Sequence, residues 1–247
     1  MKHVKNSAKI FVVAGWKYEP EWLVEDMKEN MSWADQICIV DTRNRRSEYW
    51  IHEGEYRMLQ RKALENAGIQ DWDWVFVTSP DERLERRASY ILRQLIKEKK
   101  KAIYSFNLKE MFTPNKYRID GIWGRKARPR LYPYLKKQRF SRKRIQQAPT
   151  PRGNYDKLKV DLNIYHLKMI EPANRTARAD AYKKTDPNYR FQRKTSRAFE
   201  KIDPEGKFKK LGYDYLSDTE GMKLEVIPKG REYSPLYNKK YIFNPDA

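Results

Sequence analysis

Up to Leu108, short unbroken apolar runs alternate with longer stretches in which apolar residues recur every third or fourth place. The short runs Lys9 to Ala14 (KIFVVA), Gln36 to Val40 (QICIV), Trp74 to Val77 (WVFV) and Ala102 to Leu108 (AIYSFNL) predict strands. Their continuity suits strands covered on both faces. Between them, Pro20 to Met31 places Trp22, Leu23, Met27 and Met31 on one helical side. Glu55 to Ala67 turns Met58, Leu59, Ala63, Leu64 and Ala67 inward and stops at Gly68. The spacing of Leu84, Ala88, Ile91, Leu92 and Leu95 predicts a third helix. Strands and helices in alternation predict an α/β fold, a central sheet flanked by helices.

The later chain is patterned less clearly. Met111 to Tyr134 reads as irregular, because Pro114, Pro129 and Pro133 interrupt it together with Gly121 and Gly124. The polar run Gln146 to Asn154 (QQAPTPRGN) is a composition break. It divides an expected core, residues 1–145, from an extended basic segment, 146–247, that packs back on the core. Within that segment Val160 to Ile164 and Leu224 to Pro228 read as short strands, Asn174 to Lys184 as a basic helix, and Leu211 to Leu216 as a turn.

Charge narrows the choice of partner without fixing it. The 247 residues carry a formal net charge of +20, which draws polyanions to the protein. Between Arg125 and Arg144 there are ten lysines and arginines and no acid, with Tyr132, Tyr134 and Phe140 interleaved. Such a run reads first as an exposed basic face or loop, and beside that as a nucleic-acid-binding surface with stacking aromatics or another anionic surface contact. The single cysteine, Cys38, lies in an apolar run and fits buried packing in a reducing compartment. No stretch is apolar for long enough to cross a bilayer, and MKHVKNSAKIFVVAG has a short apolar core for a signal peptide. A soluble, cytoplasmic protein is expected. Neither G-x-G-x-x-G nor G-x-x-x-x-G-K-S/T occurs, which disfavours dinucleotide oxidoreductases and P-loop enzymes.

Candidate chemistry gathers where predicted strands end. Ser79-Pro80-Asp81-Glu82 comes directly after the strand at Trp74 to Val77. These residues read as a capping box that starts a helix, with Asp81 and Glu82 in its first turn. Capping alone explains them locally; the second reading is of carboxylates at the carboxyl end of a strand, where open α/β sheets bind ligands. Gly15 closes the first strand and Asp41 the second, and Arg43, Arg45 and Arg46 come next in a polar loop where a diphosphate could bind. Arg61 lies on the second helix. His166 is one of only three histidines, and Asp120 is the one carboxylate of its region able to take a proton from a hydroxyl.

Taken in order, these motifs resemble the glycosyltransferase family 2 type of sugar-nucleotide-dependent enzyme. Thr78 to Leu84 (TSPDERL) is similar to a family motif of the form L-D-A-D-E-R-L, matching at Asp81, Glu82, Arg83 and Leu84 and departing at Ser79. Val40-Asp41-Thr42 looks like the V-D-T or V-D-D that ends the second strand, and Ile122-Trp123-Gly124 with Arg130-Leu131-Tyr132 looks like the segment beneath the acceptor. Tyr165-His166-Leu167 resembles the element whose histidine completes a metal site. The tail, with Arg190-Phe191-Gln192 and Leu211 to Leu216, is similar to some bacterial and phage-encoded members. The resemblance implies a GT-A-like three-layer α/β/α fold and transfer of a sugar from a nucleoside diphosphate sugar to an acceptor hydroxyl, on a glycan, lipid-linked sugar, protein or nucleic acid. It implies that Gly15, Asp41, Arg61, Ser79, Asp81 and Glu82 surround the sugar nucleotide, that Asp81 and His166 hold Mn2+ or Mg2+, and that Asp120 is the base. Two alternatives stand beside it, a nucleic-acid-binding protein acting through its basic half and a nucleotidyltransferase consuming a triphosphate.

Overall fold

The computed structural model describes residues 8–44, 53–97, 101–141, 148–186 and 211–243. Arg45, Arg46, Arg142 to Arg144 and Arg190 to Gln192 lie outside them. The first half keeps closely to the alternation: β1 (Ile10–Trp16), α1 (Glu21–Asn30), β2 (Gln36–Asp41), α2 (Glu53–Asn66), β3 (Trp74–Thr78), β4 (Glu82–Leu84), α3 (Ala88–Leu95) and β5 (Ala102–Thr113). The second half adds β6 (Lys116–Arg118), β7 (Ala127–Pro133), β8 (Asp156–His166), α4 (Pro172–Thr185) and β9 (Leu224–Val226).

The nine strands form one mixed sheet in the order β2-β1-β3-β7-β5-β6-β9, with β8 paired to β5 and to β4. β2, β1 and β3 are parallel, β7 is antiparallel to β3 and to β5, and β8 is parallel to β5. The carboxyl ends of β1, β2, β3, β5 and β8 therefore lie along one edge. Successive side chains leave a strand on opposite faces. Ile10, Val12 and Ala14 accordingly join Val24, Met27, Ala88 and Leu92 of α1 and α3, while Phe11 and Val13 join Tyr56 and Leu64 of α2. This is an α/β protein with a central mixed sheet and helices on both faces. Cys38 is buried in the α2 layer, as its apolar surroundings predict.

Three expectations are corrected. Ser79 does not cap a helix. Glu82, Arg83 and Leu84 instead pair with His166, Tyr165 and Ile164 of β8, and the helix begins only at Ala88. Long-range strand pairing overrides a local helix-start signal that costs only about 1 kcal/mol to forgo. The stretch Met111 to Tyr134 is not irregular throughout, since β7 fills a central place between β3 and β5. Pro129 is accommodated there beside a register shift at Tyr104 and Ser105, and Pro133 ends the strand. Finally, Tyr132 and Tyr134 are buried and Phe140 packs against the same cluster, so the aromatics of the basic run are core residues rather than a stacking surface.

The residues on either side of the composition break build the same sheet, because β8 pairs with β5 along almost its whole length. A C-terminal strap then closes over α1 and α4. Tyr233, Tyr237, Tyr241 and Phe243 are buried with Leu23, Tyr165 and Leu167. Asn174 clamps the strap by donating to the Tyr241 carbonyl at 2.7 Å and accepting from the Phe243 N–H at 2.6 Å. No helix among the described residues is long and apolar enough to cross a membrane.

Glu85 joins strap, α3 and sheet. Its buried carboxylate accepts from Arg231 Nε at 2.9 Å and from the Asn163 N–H at 2.9 Å, and it pairs with Arg87. Glu85→Ala would strand these donors and is expected to cost about 3–5 kcal/mol in urea denaturation. Arg87→Ala, which removes a largely exposed partner, is expected to cost about 1 kcal/mol or less.

Candidate functional site

β3 hands the chain to a tight turn, in which the Glu82 N–H donates to the Ser79 carbonyl at 3.0 Å. Pairing of β4 with β8 then fixes the residues around that turn. The Leu167 N–H donates to the Asp81 carbonyl at 2.8 Å, so Asp81 is held against the end of β8. In register, Glu82 lies opposite His166, and His166 opposite Glu110 of β5. Directly opposed residues share a face of the sheet. Three ionisable side chains thus line up across β4, β8 and β5 beside Asp81.

The contacts form a chain of alternating charge. Asp81 Oδ2 lies 3.4 Å from His166 Nε2 and 3.4 Å from a terminal nitrogen of Arg178 on α4. His166 Nδ1 is 3.0 Å from Glu110 Oε2, and Glu110 Oε1 is 3.0 Å from Lys126 Nζ. Glu82 pairs with Arg130 of β7 and accepts from the Thr78 hydroxyl at 3.3 Å. Asp81, Glu82, Glu110, His166 and Arg178 are all buried.

Burial would raise the Asp81 pKa, but the charge and hydrogen bond of His166, then Arg178 and Lys168, hold it well below the usual carboxylate range. Glu110 is opposed by burial in the same way and held low by Lys126, Lys168 and His166. Burial and Lys168 work against a charge on His166, yet Glu110 and Asp81 raise its pKa above the ordinary value. Lys126 is pushed down to about 8 by burial, against the pull of Glu110. Glu19, just beyond β1, is raised by burial and by the Asp81 charge.

A cavity of about 110 Å³ opens beside this group, lined by Gly15, Glu19, Tyr56, Gln60, Ser79 and Arg130 among others. Gly15 is required by the Tyr56 ring, since a Cβ there would fall 1.1 Å from the Tyr56 hydroxyl. Asp41 ends β2 on the same edge of the sheet, two strands from β3 or about 10 Å away. It is half-exposed, its carboxylate taken by Arg43, whose guanidinium lies 3.5 Å from the Trp16 ring centroid. Arg61 lines a smaller adjoining cleft, but it is engaged by Glu65 and by the Lys136 and Gln138 carbonyls.

Asp120 stands apart from the chain of charges. Its carboxylate takes a forked pair of bonds from buried Arg118 at 2.8 Å and accepts from the Lys223 N–H at 3.1 Å. Burial opposes its ionisation, but these bonds hold the pKa below the usual range and make it a weak proton acceptor at neutral pH.

Of the residues singled out from sequence, the structure brings Asp81, Glu82 and His166 together, with Gly15 and Ser79 on the adjoining cavity wall. Sequence reasoning missed Glu110, Lys126, Lys168 and Arg178. Glu110 carried a signal, an acid set directly before the apolar pair Met111-Phe112 in a largely apolar stretch, where a buried charge needs a partner. Arg178 carried none, being one cation among many in a basic helix.

The donor set suits the implied ion in part. Glu110 Oε2 lies close to His166 Nδ1 and leaves Nε2 toward Asp81, but neither Oε2 nor Nδ1 has a hydrogen-bond partner, so the contact is one of charge and only approximates the carboxylate-histidine arrangement that orients a metal-binding imidazole. No cluster of three or more His, Cys, Asp or Glu able to hold an ion occurs among the described residues. The pair therefore fits an ion shared with a ligand's phosphates rather than one held by the protein alone. Comparison with protein-family models and with curated proteins finds no match to this chain.

Asp81 and Glu110 titrate lower in the folded protein than in the unfolded chain, where such groups ionise near about 4. Their contribution to stability is present above that value and lost as pH falls through it and below. His166, whose folded pKa is raised, contributes in the opposite sense, below about 6.5, and this is lost as pH rises. Melting temperature measured against pH should fall steeply below about pH 4. Glu110→Gln should flatten that acid limb.

Proposed function

We propose that the protein is a sugar-nucleotide-dependent glycosyltransferase with a GT-A-like fold, moving a sugar from a nucleoside diphosphate sugar to an acceptor hydroxyl. The observation that carries this reading is the convergence of Asp81, His166 and Glu110 at the carboxyl ends of three strands, beside a polar-lined cavity. Ligands of open α/β sheets bind at such strand ends. The strand order supports it further, with parallel β2-β1-β3 and then antiparallel β7, because this sets the early strand ends and the acidic turn after β3 along one rim.

In this reading the nucleoside lies toward Gly15, Tyr56 and Gln60, and Asp41 reaches its ribose or base from the rim. The diphosphate lies against Asp81, His166 and the surrounding cations. A Mn2+ or Mg2+ ion brought with the donor would be held by Asp81 and His166 and would offset charge on the departing diphosphate. The Glu110 charge lies beside the imidazole and Arg130 restrains Glu82. Burial of these groups lowers the local dielectric, so each fixed charge acts on the reacting diphosphate more strongly than it would in water.

The nucleic-acid alternative lacks a stacking surface at Tyr132, Tyr134 and Phe140, which belong to the core. A nucleotidyltransferase would use the same strand ends but consume a triphosphate, and product analysis separates the two.

A thermal-shift panel of nucleoside diphosphates and their sugars, with and without manganese, is expected to raise the melting temperature for one base. Asp81→Asn and His166→Ala should each lower sugar transfer and donor hydrolysis by roughly 100-fold or more while the fold is kept. Gly15→Ala, which must displace Tyr56, should weaken nucleotide binding. Transfer at wild-type rates by folded Asp81→Asn would sink the assignment.

A further inference from the structure

Tyr56, Arg57 and Gln60 fall within little more than one turn of α2, where spacings of three and four residues set side chains beside one another. Gln60 is 4% exposed and lines the cavity beside Gly15 together with Tyr56 and Arg57. Its Oε1 accepts from Arg57 Nη1 at 2.7 Å. A guanidinium has donors only, so this contact decides which way round the amide stands, with its oxygen on Arg57 and its NH2 turned away. The Tyr56 hydroxyl lies near the amide, yet Nε2 is buried without a hydrogen-bond partner. Arg57 Nε and Arg130 Nε, on two more residues of the cavity wall, are buried donors in the same condition. Glu19 is the one carboxylate among the described residues of that wall, and it already accepts from the Lys17 and Tyr18 N–H groups at 3.3 and 3.2 Å. Unpaired donors therefore prevail around this space, and a buried donor costs free energy until an acceptor reaches it. Size adds a second constraint. A cavity of about 150 Å³ holds one benzene ring. The space here is about 110 Å³ and open on one side, and Gly15, Val77 and Thr78 of the central strands β1 and β3 form part of its wall, so it admits one six-membered ring but not two fused ones.

We propose that this cavity selects a pyrimidine with two ring carbonyls, uracil or its 5-methyl form, as the base of the nucleoside diphosphate, with Gln60 Nε2 donating to one of those carbonyls. The proposal rests on the sugar-nucleotide reading above and names the base which that reading leaves open. Uracil and thymine present two carbonyl acceptors with one N–H between them, a pattern that suits the donors of Gln60 and Arg57 and the carboxylate of Glu19. Cytosine carries an amino group where one of these carbonyls stands, and it meets the fixed NH2 of Gln60 donor to donor. That clash, as much as the new bond, is what discriminates. Adenine and guanine are excluded by their second ring. Arg57 acts through Gln60, because its bond to Oε1 keeps the amide from turning its oxygen to the base.

Isothermal titration calorimetry of the full chain in manganese, with UDP, dTDP, CDP, GDP and ADP in turn, tests this. UDP or dTDP should bind roughly tenfold or more tighter than each of the other three. Gln60→Glu keeps an oxygen for Arg57 and sets a second acceptor where the NH2 stood, so the ratio of UDP or dTDP affinity to CDP affinity should fall by roughly tenfold or more. Gln60→Met, similar in length and without an amide, should lower the same ratio. The ratio is the deciding quantity, because a residue that only supports α2 would weaken every nucleotide alike. Circular dichroism and melting report the fold of each variant. Gln60→Met decides if Gln60→Glu does not fold, and the wild-type ranking decides if neither does. Wild-type binding of CDP, GDP or ADP as tight as that of UDP and dTDP overturns the proposal and leaves the sugar-nucleotide reading standing. So does an unchanged ratio in a folded variant, since the base would then be read elsewhere. No binding of any of the five overturns both.

Discussion

A charge taken out of water must meet an opposite charge, and the rim of this sheet where the parallel strands end is built to meet that requirement. His166 stands between Asp81 and Glu110, and each of those carboxylates has a further cation on its outer side. No member could be buried alone. The pairing of β4 and β5 with β8 brings the row together, so the backbone register and the charge pattern support each other. A change in that register would turn His166 to the other face and strand two carboxylates at once.

The second half of the chain is what completes this row. β8 carries His166, the turn after it carries Lys168, and α4 carries Arg178. α4 is held by the strap through Asn174, and the strap is held to the sheet through Arg231 and Glu85 and through Asn30, which donates to the Ser234 carbonyl at 2.7 Å. Arg178 keeps its place because these bonds fix both the helix that bears it and the Phe243 ring behind it. A basic tail that looks detachable by composition is thus a structural part of the candidate site.

The charge of +20 acts at two levels. Outside, lysines and arginines give the molecule a field that draws anions toward it. Inside, a few of the same residue types are desolvated beside carboxylates, as Arg178 is beside Asp81 and Lys126 beside Glu110. Composition registers only the sum of the two.

Much of the fold was legible because its signals are local. β1, α1, β2, α2 and β3 arise from apolar spacing within each segment, and α2 ends at Gly68, whose φ of +80° only a glycine adopts readily. The site was legible only where a residue type is scarce or placed at a strand end, as for His166, Asp81 and Glu82. The rest depended on contacts between distant segments. Ser79 and Pro80 carry a sound local signal for a helix, yet β8 claims Glu82 to Leu84 for a strand from about eighty residues away. Pro129 argues against a strand until a register shift in β5 makes room for it. Sequence by itself determined the layers, because the periodicity of burial is written residue by residue. Only the tertiary structure decided which of many cations stand beside Asp81, because charge carries no periodicity and its partner is chosen by folding.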